Sequence, residues 1–381
     1  MKNFPKEFLW GAATASYQVE GGIYNNDWAR AAKNHKVPGA GAACNHYNLF
    51  QSDFAIAKQI GLNAYRMSIE WSRIEPQEGV FDEDAIEHYR KMIRAVKENG
   101  MIPFVTIWHF TIPVWLSNKG GMIAKEAPYL FARYSSFVIE KLGREADFWV
   151  TINEPLVFAG NGYLRGKWPP FEKNVFNFAR VYVNLVRCHR LSYKKMKLKN
   201  EFIQIGIAKN NVDLIAGKNP FLKIGAKIAR IVRNSLFLRL IRNHQDFIGI
   251  NYYFHKKLGV DENLPESDMG WQIYPKGLLS VLDEVAVFKK PIYITENGIA
   301  DRHDEKRAGF IREHVNILED AIAKGIPVRG YFHWSLLDNF EWAEGFNERF
   351  GLIHIDYDSQ KRTIKDSAFS YRKIIEENQN R

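Results

Sequence analysis

Ala95-Val-Lys-Glu-Asn-Gly100-Met-Ile-Pro-Phe-Val-Thr106 joins a segment of helical period to a short apolar run through a glycine. A glycine just past a helix end takes the left-handed conformation that closes the last turn, so the stretch predicts a helix handing over to a strand. The same junction recurs where Ile56-Ala-Lys-Gln-Ile-Gly61 runs into Asn63-Ala-Tyr-Arg-Met-Ser68 and where Ala321-Ile-Ala-Lys-Gly325 runs into Val328-Arg-Gly-Tyr-Phe332. Together with the other short apolar runs this gives eight predicted strands, at 9–13, 63–68, 102–107, 148–152, 203–208, 247–252, 291–295 and 328–334. Stretches between them, 82–99, 125–142, 175–199 and 304–324, carry apolar residues at helical spacing. Strands that alternate with helices and are apolar on both faces argue for α/β architecture, a single (β/α)8 TIM barrel.

Composition agrees with one barrel. The 381 residues are 46% hydrophobic and 14% aromatic, enough for a large core, and no linker, charge block or low-complexity tract divides them, so residues 1–381 are expected to form one domain. The formal net charge of +10 raises the question of an anionic partner, but Lys and Arg are scattered along the chain as on a solvated basic surface, and no nucleic-acid partner is expected. Two cysteines, Cys44 and Cys188, cannot make a disulfide framework and fit a reducing compartment. The N-terminus lacks the apolar core of a signal peptide, and no stretch is long enough to span a bilayer. The expected location is therefore the cytoplasm. There is no His-x-His, no Asp/His cluster and no glycine-rich phosphate loop, so neither metal nor cofactor is expected.

In a barrel of this kind the residues just after each strand build the site. Phe148-Trp-Val-Thr-Ile-Asn-Glu-Pro155 and Ile292-Tyr-Ile-Thr-Glu-Asn-Gly298 each end an apolar run on a glutamate beside an asparagine. A pair of acids flanking one bond is what glycosidic cleavage requires. The other strand ends supply Gln18, Arg66, His109, Asn153, Asn251, Tyr253 and Trp334, the last followed by Asn339-Phe340-Glu341-Trp342. Polar groups that bind hydroxyls, together with flat aromatic faces that cover C–H surfaces, describe a sugar site. His46 reads as structural, and Trp71, Trp115 and Trp149 as packing residues.

The chain resembles glycoside hydrolase family 1, the retaining β-glucosidases and β-galactosidases. The resemblance runs from Phe4 to about Tyr371 and rests on Phe8-Leu-Trp-Gly-Ala-Ala-Thr-Ala-Ser-Tyr-Gln-Val-Glu-Gly21, Thr151-Ile-Asn-Glu-Pro155, Ile294-Thr-Glu-Asn-Gly298 and Trp334-Ser-Leu-Leu-Asp-Asn-Phe-Glu-Trp342. It implies Glu154 as acid/base and Glu296 as nucleophile. Gln18, His109, Asn153, Glu341 and Trp342 would hold the sugar's hydroxyls, Trp334 would be its platform, and Trp168 would line the leaving-group side. Arg66, Tyr253 and Asn251 would support the nucleophile, Arg66 by favouring the ionised form and Tyr253 by donating a hydrogen bond. Glu154, facing that charge, is expected to have a raised pKa. The implied substrates are small β-glycosides or short oligosaccharides ending in glucosyl, galactosyl or fucosyl residues.

Departures from the family pattern qualify the reading. The segments 210–245 and 254–269 are short, and the first holds a basic helix, Phe221-Leu-Lys-Ile-Gly-Ala-Lys-Ile-Ala-Arg-Ile-Val-Arg233. Its apolar face is expected to pack inward on the barrel with the lysines solvated, in preference to membrane or partner contact. His109-Phe110-Thr111-Ile112 and Gly120-Gly121-Met122 stand where many members have His-Trp-Asp-Leu and Gly-Gly-Trp, and both are expected near the pocket rim. A 6-phospho-β-glycosidase is the alternative enzyme, disfavoured by the phosphate-repelling carboxylate of Glu341. A catalytically impaired sugar-binding barrel is the alternative outside enzymes.

Overall fold

The computed structural model describes residues 4–259 and 263–379; residues 260–262 of the short segment 254–269 lie outside the described residues. Eight parallel strands, β1 (Leu9–Ala13), β2 (Ala64–Ser68), β3 (Ile102–Trp108), β4 (Phe148–Asn153), β5 (Gln204–Asn210), β6 (Ile248–Asn251), β7 (Ile292–Asn297) and β8 (Val328–Trp334), close into a barrel in chain order. β1 seals it, pairing with β2 on one side and with β8 on the other, where Leu9 lies opposite Gly330 and Ala13 opposite Trp334.

The junctions follow from the glycines. At Gly61, Gly100 and Gly325, all with φ between +77° and +87°, the glycine N–H and that of the next residue bond back to the last helical turn, as in Gly100 N to Lys97 O (2.8 Å) and Met101 N to Val96 O (3.1 Å). These are Schellman closures, and each drops the chain into the next strand. The main outer helices are α1 (His46–Gln59), α2 (Glu83–Glu98), α3 (Ala127–Leu142) and α4 (Val175–Lys199), then α5 (Pro220–Arg230), joined by a π-helical turn (Ile231–Ser235) to α6 (Leu236–Ile241). They continue with α7 (Pro275–Ala286), α8 (Arg307–Ala323) and α9 (Asp366–Gln379).

Two layers of apolar packing hold the molecule. One lies between strands and helices. The other fills the barrel, where Phe104 stacks on Phe148 at 4.5 Å and meets Phe332, Tyr293 and Phe247 at 5.0, 5.1 and 5.4 Å. Most of these rings sit near the strands' N-terminal ends and close the barrel floor. They fit because glycines face them: a Cβ on Gly11 would lie 2.5 Å from the Phe332 ring, and one on Gly206 2.5 Å from Phe247.

One expected helix differs. In α5 only Ala226 is buried, whereas Phe221, Ile224 and Ile228 face solvent. The face turned toward the protein is that of Leu222, Ala226 and Ala229, and the isoleucine face points outward. The anchoring falls instead to α6, whose Phe237, Leu238 and Ile241 are buried. Met122 also departs from expectation: it is fully buried in the core between strands and helices. No described helix is long and apolar enough to cross a membrane.

Candidate active site

Glu154 follows β4 directly, in a left-handed conformation (φ +43°) unusual for a residue with a side chain. Its N–H bonds to Ala208 O of β5 at 2.8 Å and its carbonyl starts the short helix Pro155–Ala159. This kink turns the carboxyl inward across the barrel mouth, where Oε1 accepts from Asn251 Nδ2 at 2.9 Å. Glu296, within β7, accepts from Arg66 Nη1 at 2.5 Å and from the Tyr253 hydroxyl at 2.7 Å.

A single network joins the two acids. Asn153 Oδ1 accepts from Arg66 Nη2 (2.8 Å) and from Asn251 Nδ2 (3.2 Å), which turns the Asn153 amide nitrogen toward His109 Nε2 at 3.1 Å. A ring nitrogen that accepts carries no proton, so this network assigns the His109 proton to Nδ1. Burial and the Arg66 charge hold His109 well below the usual histidine pKa, consistent with a neutral ring. Thr106, Thr295 and the Thr295 carbonyl fix Arg66 and Asn251 in turn, at 2.7 to 3.2 Å.

Two polar atoms, Nδ1 of His109 and Oε1 of Gln18, are buried and have no partner in the protein. One donates and the other accepts, which is the pairing a hydroxyl group satisfies. Gln18 is held in place by its Nε2, which donates to Asn339 Oδ1 (3.0 Å), Phe340 O (2.8 Å) and Glu341 Oε2 (3.3 Å). Trp334 and Trp342 lie nearly parallel to the His109 ring, at 5.9 and 6.1 Å. Trp168 joins the cluster through Trp342 at 5.6 Å. The residues expected at the site are thus brought together. His46 is structural as expected, paired with Asp53 at 2.8 Å.

Sequence reasoning missed several neighbours. Trp28 packs against Trp342 and Trp168, at 4.8 and 5.6 Å, beside Phe110, which was expected near the rim and lies 5.0 and 5.2 Å from Trp168 and Trp342. Of the two departures expected at the rim, Phe110 alone is there. Arg233, from the turn between α5 and α6, bonds Asn210 Oδ1 at 2.8 Å and lies close enough to Glu154 for its charge to lower that pKa. The buried Lys209 pins the same turn, donating to Arg233 O and, at 2.8 Å, to Asn211 Oδ1. Arg233 carries no local signal, because only the helix break brings it to the mouth.

The electrostatics separate the acids. Burial and then the charge of Glu296 push Glu154 up to about 8. Burial raises Glu296 as well, against Arg66 and Tyr253, which pull it down. Arg66 therefore favours the charged form as expected, but does not overcome burial. Glu341, partly open to the cleft, is pushed to about 8 by burial and by both other carboxylates. Among the described residues no group of three or more His, Cys, Asp or Glu is placed to hold a metal ion.

Paired carboxyls in unlike surroundings, ringed by amides, an imidazole and indoles at a barrel mouth, are the site of a glycoside hydrolase. The chain belongs to glycosyl hydrolase family 1, whose model matches residues 1–228 and 254–380. The 1,4-beta-D-glucan glucohydrolase of Thermotoga neapolitana is 35% identical over 440 aligned positions, covering 99% of both chains. That alignment is longer than this chain, so the relative has segments that this chain lacks. Among solved structures, a beta-glycosidase from Pyrococcus horikoshii is 36% identical with a TM-score of 0.92, over 98% of this chain and 95% of that one. A beta-glucosidase from Thermotoga maritima, in complex with glucoimidazole, is 33% identical with a TM-score of 0.94, over 99% of this chain and all of the other.

Proposed function

We propose that this glycoside hydrolase removes terminal β-D-glucosyl, galactosyl or fucosyl residues from small β-glycosides or short oligosaccharides, with Glu296 as nucleophile and Glu154 as acid/base. The observation that carries the reading is the asymmetry of one shared network: the cation and the phenol bond to Glu296, while the bond to Glu154 comes from a neutral amide. Glu296 is then the group to attack the anomeric carbon. Glu154, protonated below about pH 8, gives its proton to the departing oxygen. Esterification of Glu296 removes its charge, so the pKa of Glu154 falls and the same carboxylate accepts a proton from water in the second step.

The remaining residues bind the sugar. Gln18 and His109 take one hydroxyl between their unpartnered atoms, Asn153 and Glu341 take others, and Trp334 and Trp342 cover the ring. Trp168 lies toward the leaving group. We read residues 1–381 as one catalytic domain with a mouth opened by the short segments 210–245 and 254–269. A 6-phosphoglycoside is disfavoured because the acidic Glu341 stands at the hydroxyl-binding rim, where it offers phosphate no positive charge and repels it once ionised, above about pH 8.

The test is release of nitrophenol from β-D-glucoside, galactoside, fucoside and 6-phosphoglucoside by the parent, Glu296→Ala and Glu154→Ala. Activity on a neutral glycoside should fall by about 100- to 10,000-fold in Glu154→Ala, and further in Glu296→Ala. Azide, a nucleophile needing no base, should restore turnover to Glu154→Ala. A folded parent with no activity, or variants as active as the parent, would refute the assignment.

A further inference from the structure

Helix α5 has its amphipathic pattern turned inside out. Phe221, Ile224 and Ile228, with Ile231 and Val232 of the π-helical turn that continues the helix, are 81, 59, 57, 42 and 47% exposed, and their spacing puts them in one stripe. The opposite side, with Ala226 as its one buried residue, packs toward the short strand Asp213–Ala216. Lys223 and Lys227 stand exposed one turn apart, flanking the stripe. From 218 to 242 the chain has Lys218, Lys223, Lys227, Arg230, Arg233, Arg239 and Arg242 and no acidic residue. Arg230 is paired with Glu284 and Arg233 with Asn210; the other five are solvent-exposed.

We propose that α5 docks on an anionic lipid surface, with its apolar stripe in the boundary between headgroups and acyl chains and its lysines among the headgroups. A large apolar stripe with a basic flank is the pattern that lies in such an interface. Charge complementarity selects this occupant over a second copy, since pairing α5 with α5 brings two acid-free basic faces together. α5 follows the short strand Asp213–Ala216, which pairs with His255–Leu258 beyond the ends of β5 and β6. Docking therefore sets the barrel mouth beside the lipid. The inference goes beyond the glycosidase reading and does not rest on it.

The test is flotation of the full chain with vesicles of phosphatidylcholine alone and of phosphatidylcholine mixed with phosphatidylglycerol, at low and high salt. The parent should float with the anionic vesicles at low salt, and far less with the neutral ones or at high salt. Ile224→Asp with Ile228→Asp, and separately Lys223→Glu with Lys227→Glu, should each lower the bound fraction by about tenfold or more, since burial and charge both contribute. These side chains face solvent, so Tm and hydrolysis of a soluble nitrophenyl glycoside should stay at parent values. A parent that remains in the aqueous fraction would overturn the proposal. So would equal binding to neutral vesicles, or a parental dimer that the isoleucine pair of substitutions splits, which would make the stripe a contact between copies.

Discussion

Arg66 lies against Glu296 at 2.5 Å, whereas the bond to Glu154 comes from the uncharged amide of Asn251. Removing the cation in Arg66→Met should raise the pKa of Glu296, so the acidic limb of kcat/KM moves to higher pH as kcat falls; a pH–rate profile on a nitrophenyl glycoside reads both. In Glu296→Gln the negative charge beside Glu154 is gone, so its pKa should drop from about 8, which carbon-13 NMR titration of the glutamate carboxyls would follow. These residues were legible in sequence because each sits at a strand end, where the fold alone dictates that it faces the mouth. Trp28 and Arg233 were not, since they reach the site from a short helix and a broken one whose paths depend on packing. Sequence gives one pKa direction and not the other: Glu154 is raised as expected, whereas at Glu296 burial outweighs Arg66, which stands where expected.

Strands were readable from short apolar runs, and β1 and β8 fall at the expected residues, because a barrel strand buried on both faces leaves no polar alternation to obscure it. Helix α5 shows what periodicity omits. A stripe of Phe221, Ile224 and Ile228 is visible in sequence, but which way it faces depends on whether the barrel has room for it. The floor of the barrel tests the same principle of space. Gly11→Ala places a methyl group 2.5 Å from the Phe332 ring and should destabilise the protein by about 1–3 kcal/mol, seen as a lower Tm. Gly100→Ala meets no atom, but its φ of +77° should cost about 1 kcal/mol, so the two substitutions separate crowding from backbone strain.

At the scale of the whole molecule the buried titratable groups set the pH range of stability. Glu20 and Asp27 are raised to about 7 and Glu154 and Glu341 to about 8, chiefly by burial. The folded state holds those protons more tightly than the unfolded chain, so their stabilisation is present below about pH 4.5 and is lost as pH rises toward 8. His189 and His314 are lowered to about 4, and His109 and His333 well below the usual value, again by burial. The folded state keeps these rings neutral, so their contribution is present above about pH 6.5 and is lost on acidification. Between about pH 4.5 and 6.5 the two contributions change in opposite directions and offset each other, so thermal melts should show a nearly level Tm there, a decline as pH rises from 6.5 toward 8 and another as it falls below 4.5. The rings of Phe104, Phe148, Phe247, Tyr293 and Phe332 add a constraint on traffic. With its base stoppered, the barrel is a blind well, and everything passes through one opening. The freed alcohol has to leave before water can reach the esterified sugar, and the sugar has to leave before the next glycoside enters, so the order of departures is imposed by architecture and hydrolysis proceeds as two half-reactions in a queue.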